Sequence, residues 1–389
     1  PPHLVTLIFV TSLAIVTLNL FAPSLAGMAA DFGVSFATIG WSISGYFLLT
    51  AVLQILIGPL SDRIGRRPVL LAGLAIFTAA SLGCVLAGDV GWFLFFRVLQ
   101  AAIASGMVLS AAIVRDTVPG PEAARRLGII GAAIAIAPMV GPTVGGLLDT
   151  AFGWRANFVL YAVLGLAGLI LVWADLGETN PHKGRPMAAQ LRAYPALIGS
   201  LRFWINCLCA AFSVSVFYVF TVAAPLVARD VFGVSSLAVG LAMATTPLGF
   251  LIGNVLTARL VRRFGQGRLM IYGRLTTVLG MAAVLALSLV PDTSPLPYFG
   301  LMITVGIGNG LTLPNANANA LGVRPDLAGT AAGLFGATNV LLGAITTIAA
   351  GRLIPGAAPD VALAGAMLLL SVTAFALALV ARRLEPPPP

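Results

Sequence analysis

Twelve runs of about 20 mostly apolar residues, each long enough to cross a hydrocarbon core as a helix, leave this chain few folds to choose from. They lie at 4–24, 39–60, 69–88, 92–114, 127–148, 156–174, 203–225, 237–260, 269–290, 298–321, 329–350 and 361–381. In lipid every backbone polar group has to be satisfied inside its own segment, so such runs are helices. With 59% hydrophobic and only 9% charged residues over 389 positions, the chain has too little polar surface for a water-soluble fold of its size. The expected class is an all-α membrane protein with the lipid bilayer as its surroundings. The net charge of +9 does not signal nucleic acid, because the basic residues fall in short loops between the runs rather than on one face or tail.

The densest charge cluster is Gly58-Pro59-Leu60-Ser61-Asp62-Arg63-Ile64-Gly65-Arg66-Arg67-Pro68, between the second and third runs. One carboxylate and three guanidiniums cannot sit in hydrocarbon, so this is a short hinge in water. Part of it recurs. Phe32-Gly33-Val34-Ser35, Gly40 and Gly65 return 200 positions later as Phe232-Gly233-Val234-Ser235, Gly240 and Gly265. Two six-helix halves on one plan are therefore expected: 1–174 and 203–389, joined by a breaker-rich linker at 175–202 with a short surface helix in its second part. A hydrophobic chain of two parallel repeats is the sign of a transporter with a central site.

Arginine placement sets the topology. One set of loops holds Arg63, Arg66, Arg67, Arg115, Arg125, Arg126, Lys183, Arg185, Arg192, Arg202, Arg259, Arg262, Arg263, Arg268, Arg324, Arg382 and Arg383, and the opposite loops hold only Arg155, Arg229 and Arg352. By the positive-inside rule both termini are expected in the cytoplasm. The chain opens at Pro1-Pro2-His3 with neither methionine nor a cleavage-type signal, so its start is expected to be trimmed and the first span itself to direct insertion. Cys84, Cys207 and Cys209 lie in apolar runs without ligand partners, which points to reduced, structural thiols rather than a zinc site. No phosphate loop, H-E-x-x-H or Ser/His/Asp set is present, and the only histidines, His3 and His182, lie outside the runs. No cofactor, metal or enzyme activity is expected.

The hinge, topology and repeat together resemble the major facilitator superfamily, and within it the drug:proton antiporters of twelve spans. The family loop signature G-x-L-x-D-R-x-G-R-R is matched by Gly58, Leu60, Asp62, Arg63, Gly65, Arg66 and Arg67. Gln54 with Gly58-Pro59-Leu60-Ser61-Asp62-Arg63, then Arg97-Val98-Leu99-Gln100-Ala101, Ala112-Ile113-Val114-Arg115-Asp116, Trp154-Arg155, Leu313-Pro314-Asn315 and Ala328-Gly329-Thr330-Ala331 are similar to the bicyclomycin and chloramphenicol/florfenicol resistance branch. The resemblance implies the major facilitator fold, twelve transmembrane helices in two pseudo-symmetric bundles, in a monomer of the bacterial inner membrane. It also implies export of small, moderately apolar compounds in exchange for protons. The rival expectations are a facilitator or uptake carrier for a small metabolite and, in another class, a non-transporting sensor or scaffold.

The resemblance gives the motifs roles. Asp62, at the end of the second span, is expected to latch onto the positive start of the eleventh span near Gly329, with Arg63, Arg66 and Arg67 beside it and Arg66 or Arg67 paired to Asp116. In the second copy Arg262 replaces Asp62, so that latch is lost there. Pro138, Gly141, Pro142, Gly145 and Gly146 match the antiporter motif of the fifth span, where proline bends a helix and glycine lets backbones touch. Arg97 is expected to face the central cavity with Gln100. Asn19, Phe21, Tyr46, Gln54, Phe217, Tyr218, Asn309 and Asn339 are further candidates to line a cavity of mostly apolar walls with a few polar anchors, with lipid contact or helix packing as the alternative for each.

One departure matters. The branch usually reads Asp-Met-Tyr-Leu-Pro in the first span, with the acid thought to carry the proton, and this chain reads Asn19-Leu20-Phe21-Ala22-Pro23. All thirteen acids fall in loops or at span ends. Either transport is not coupled in the usual way, or coupling uses a rim acid such as Asp31, or Asn19 is an engineered isostere of the acid. Position 19 with Arg97 is thus the expected proton-coupling site, occupied here by an amide.

Overall fold

The computed structural model of the chain describes residues 2–118, 120–180, 197–291, 293–324, 328–356 and 358–384, and its described side chains exclude those of 120, 121, 124, 128, 131–139, 236, 328 and 329. All regular elements among these residues are helical. In chain order they are α1 (Leu4–Asp31), α2 (Phe36–Ile64), α3 (Arg66–Leu86) and α4 (Val90–Thr117), then α5 (Gly120–Phe152) and α6 (Arg155–Asp175). After the linker come α7 (Leu201–Asp230), α8 (Leu237–Phe264), α9 (Gln266–Ser288), α10 (Pro295–Leu321), α11 (Thr330–Leu353) and α12 (Pro359–Arg383). Eleven of them are long and apolar enough among the described residues to cross a membrane. The 33-residue α5 stands over the fifth expected run. This is a multi-pass membrane protein.

The helices overrun the apolar runs. The second run, expected at 39–60, continues to Phe36 at one end and Ile64 at the other, because a helix keeps bonding its own backbone after it leaves hydrocarbon. Its limits are set by local chemistry. Ser35 caps the start by accepting from the Thr38 amide at 3.1 Å, and Gly65 ends it with φ of 112°, a conformation that favours glycine.

Four of the helices, α1, α4, α8 and α10, are interrupted, and in α1 the sequence forces it. Pro23 has no N–H to give to the carbonyl of Asn19, four residues earlier, so α1 breaks after Asn19 into a short 3-10 turn at Ala22–Ser24. In α4 a second 3-10 turn, Gln100–Ile103, follows Arg97. The repeat seen in the sequence is also a repeat of local structure. Gly33 and Gly233 share φ of 63°, and the next amides, of Val34 and Val234, each bond back to a helix carbonyl, Ala29 and Ala228, at 3.0 Å.

Within the first six helices α1 packs on α4, α5 and α6, α2 on α4, and α3 on α6; within the last six α7 packs on α10, α11 and α12, and α8 and α9 both flank α10. The two sets meet chiefly where α2 packs on α11 and α5 on α8, and α1 also touches α7 and α8. Close approach on α10 is backbone to backbone. A Cβ on Gly306 would stand 1.9 Å from the Thr246 carbonyl oxygen, and one on Gly253 2.4 Å from that of Ile307. The surface helix expected in the linker lies largely in 181–196, outside the described residues. What precedes it is tied down: the Glu178 carboxylate accepts from the Arg66 amide at 2.9 Å, and the Asn180 side chain donates to the Asp62 carbonyl at 3.0 Å.

Candidate functional site

Arg97 is fully buried, and a guanidinium always carries its charge, so its partners have to replace water. Nε donates to the Ser42 carbonyl at 3.1 Å, Nη1 to Gln100 Oε1 at 2.7 Å, and Nη2 to the Thr17 carbonyl at 2.9 Å. The planar head lies between two rings, 4.4 Å from the centroid of Phe21 and 4.5 Å from that of Tyr46. Gln100 passes the chain on, donating to Ser81 at 2.7 Å. Arg97, Gln100, Phe21 and Tyr46, all expected on the cavity wall, are therefore packed inside the first bundle instead. The reason is electrostatic. With no carboxylate in reach, the charge needs several carbonyls and π faces at once, and only the interior of a bundle supplies them from three helices.

The central cavity, about 160 Å³, lies where the halves meet, lined by α1, α7, α8 and α10. Asn19, Phe217, Tyr218 and Asn309 from the sequence expectations are on its wall, joined by Leu18, Pro247, Phe250 and Leu313. Asn19 is 1% exposed. Its Nδ2 donates to the Ile15 carbonyl at 2.9 Å, and its Oδ1 has no partner. Behind Asn309 sits the second buried arginine, Arg274, which donates from Nη2 to Asn309 Oδ1 at 2.9 Å and from Nε to Thr312 Oγ1 at 2.8 Å.

A larger cavity of about 530 Å³ opens between α2 and α4 of the first half and α11 of the second, at the arginine-rich end. Gln54 lines this one rather than the central one, and Asp62, Arg66 and Asp116 stand on the same wall. Arg66 holds both carboxylates: Nη1 is 2.5 Å from Asp62 Oδ1 and Nε 3.0 Å from Asp116 Oδ2. Arg67 is turned away, donating to the Trp173 carbonyl at 2.9 Å, and Arg63 is exposed. Arg66, on the same hinge, is thus an ion partner of Asp62, and α11 lines the same cavity with Thr330, Gly333 and Gly336, while Gly329, the expected end of the latch, lies outside the described side chains. Asn339, also on α11, is absent from both cavity walls, and its Oδ1 is buried without a partner.

At the opposite end the halves touch. Ser44 and Thr347 share a hydrogen bond of 2.9 Å, Thr143 donates to the Gly240 carbonyl at 3.4 Å, Arg229 donates to the Ala26 carbonyl at 2.8 Å, and the rings of Phe47 and Tyr218 are 4.4 Å apart. The α5 motif serves this end. A Cβ on Gly240 would stand 2.3 Å from the Pro142 carbonyl oxygen. Gly146 is buried in the same stretch, and Pro138 lies outside the described side chains.

The sequence shows Arg274, like Arg97, as a basic residue inside an apolar run but gives it no partner, and neither Thr312 nor the glycine pairs Gly249/Gly253 and Gly306/Gly310 stand out there as site residues. The four-residue spacing of the glycines is a legible signal of helix contact.

The family model described as Major Facilitator Superfamily matches residues 7–347. A chloramphenicol resistance protein of Pseudomonas aeruginosa is 31% identical over 86% of this chain and 80% of its own length. A bicyclomycin resistance protein homolog of Haemophilus influenzae is 27% identical over 95% and 96%, and multidrug resistance protein D of Escherichia coli 26% over 89% and 88%. Among solved structures, a D-xylose-proton symporter superposes with a TM-score of 0.75 at 16% identity, covering 96% of this chain and 95% of that one. A bacterial homolog of the lysosomal transporter Spinster gives 0.74 at 19%, covering 98% and 96%. The structural likenesses establish the major facilitator fold. By its sequence, and by twelve helices in two repeats about a central cavity, this chain belongs to the Major Facilitator Superfamily, a family of membrane transporters rather than enzymes.

Proposed function

We propose that this protein exports small, moderately apolar compounds, amphenicol-like antibiotics among them, across the bacterial inner membrane. In this reading the halves 1–174 and 203–389 rock about the central cavity, the linker 175–202 spans them, both termini are cytoplasmic and the unit is a monomer. The observation that carries it is an apolar, aromatic cavity between the halves, sealed at the end poor in arginine and flanked by a second cavity at the arginine-rich end. At about 160 Å³ the central cavity is smaller than the roughly 300–1,000 Å³ of a drug-sized site, so loading widens it by moving the halves. That relatives are named for resistance and multidrug phenotypes favours export over uptake.

At position 19 of α1, where the related branch has an acid, stands an amide, which does not titrate. Asp31 is a poor substitute. It is half exposed and pinned by Trp154 and Arg155, each at 3.0 Å, which suits a strut rather than a carrier. Asp62 and Asp116, by contrast, line the larger cavity. Counterflow of chloramphenicol in sealed proteoliposomes, with and without a pH gradient, tests the reading. Saturable flux is expected, and its complete absence from a folded preparation would sink the proposal.

A further inference from the structure

We infer that the central cavity selects uncharged compounds over cations, holding them between a hydrogen-bond acceptor on one half and a donor on the other. The inference rests on the export reading for what is carried, and it adds the chemical class.

Both amides on the wall have orientations forced by chemistry. A carbonyl oxygen only accepts, so the Asn19 group 2.9 Å from the Ile15 carbonyl is its nitrogen. That leaves Oδ1 buried and without a partner, on a residue that lines the cavity, where a small side-chain adjustment presents it to a ligand. An arginine only donates, so the Asn309 atom 2.9 Å from Arg274 Nη2 is its oxygen, and Nδ2 remains as the donor for the cavity. Asn19 is on α1 and Asn309 on α10, so a compound with a donor and an acceptor bridges the two halves. A buried, unpaired acceptor is costly to leave unmade, and a ligand N–H or O–H on Asn19 removes that cost.

Charge decides the rest. No residue lining the cavity is ionisable as an acid or base near neutral pH. The acids of the chain lie at helix ends or in loops. A cation entering would shed its hydration, find no carboxylate, and meet the Arg274 guanidinium one amide away behind Asn309. The walls of Leu18, Phe217, Tyr218 and Phe250 give area to apolar ligands of either kind, so they do not offset that repulsion.

Equilibrium binding to the full chain in nanodiscs tests this, with chloramphenicol as the neutral, amide-bearing probe and tetraphenylphosphonium as the cation. Chloramphenicol is expected to bind at least about tenfold more tightly, a difference of about 1.4 kcal/mol. Asn19→Leu, similar in size, should weaken chloramphenicol about fivefold to tenfold, the worth of one hydrogen bond. Asn19→Asp should raise tetraphenylphosphonium affinity at pH 8. Size-exclusion behaviour and melting temperature confirm that each variant is folded. Equal or tighter binding of the cation by the unmodified chain overturns the inference, as does an Asn19→Asp protein with unchanged cation affinity, or no chloramphenicol binding by folded protein. Flux separates this from the export reading: vesicles that move both probes leave export standing and selectivity refuted, whereas selective binding without flux does the reverse.

Discussion

The carbonyl oxygen of Leu20 stands 1.6 Å from where a Cβ on Gly145 would lie. The break in α1 is thus seated directly on α5, with Gly145 packed against the turn that Pro23 imposes. Asn19 is the residue before that break, so α5 also fixes where the cavity amide sits.

Gly145→Ala is therefore expected to abolish transport and to lower stability by about 1–3 kcal/mol, the usual cost of overpacking. At Gly141 the nearest atom to an added Cβ is the Leu20 nitrogen at 3.6 Å, ordinary contact. Gly141→Ala should leave the melting temperature nearly unchanged. Thermal unfolding of the two purified variants checks the contrast.

Arg97→Ala should abolish transport together with stability, because it leaves the Ser42 carbonyl and Gln100 Oε1 without their donor in the interior of the first bundle. Hydrogen bonds to a charged group contribute about 1.5–3 kcal/mol each. Arg97→Lys should keep only part of the function, since one ammonium cannot reach three acceptors set at the angles of a planar fork. A variant that loses transport at an unchanged melting temperature would place Arg97 in the transport step itself rather than in the scaffold.

Asp62→Asn is expected to reduce transport with little loss of expression. Arg66 keeps Asp116 at 3.0 Å, so the hinge stays paired, and losing one partly exposed ion pair costs about 1 kcal/mol or less. The same amount is enough to move the balance between two global states. Cysteine accessibility on the two membrane faces should shift, and identical labelling in mutant and parent would count against a latch.

Asn19→Asp introduces the one titrating side chain on the central cavity. The parent chain has an amide there and its two histidines, His3 and His182, lie outside the apolar runs, so ligand binding should vary little between about pH 5 and 8. The Asp variant should show a clear dependence across that range in the same binding assay. Uphill, proton-driven efflux by the parent would show that the carrier is elsewhere, with Asp62 and Asp116 the groups to substitute next.

Sequence alone determined the helices, their number and the repeat, because each follows from local rules: a run long enough to span, a proline that cannot donate at 23, and glycines with positive φ at 33 and 233. It also singled out Asn19, Phe217, Tyr218 and Asn309, which share one wall, while the family resemblance offered Arg66 or Arg67 to Asp116 and the structure takes Arg66. Only the tertiary structure decided which way the remaining side chains turn. Arg97 and Arg274 read alike in the sequence, as lone charges in apolar runs. Yet one is enclosed by Thr17, Ser42, Gln100 and two rings, while the other stands directly behind a cavity residue. The rotation of a helix about its axis is set by what its neighbours offer to a buried charge, and those neighbours lie far away in the chain: 80 residues from Arg97 to Thr17 and 35 from Arg274 to Asn309.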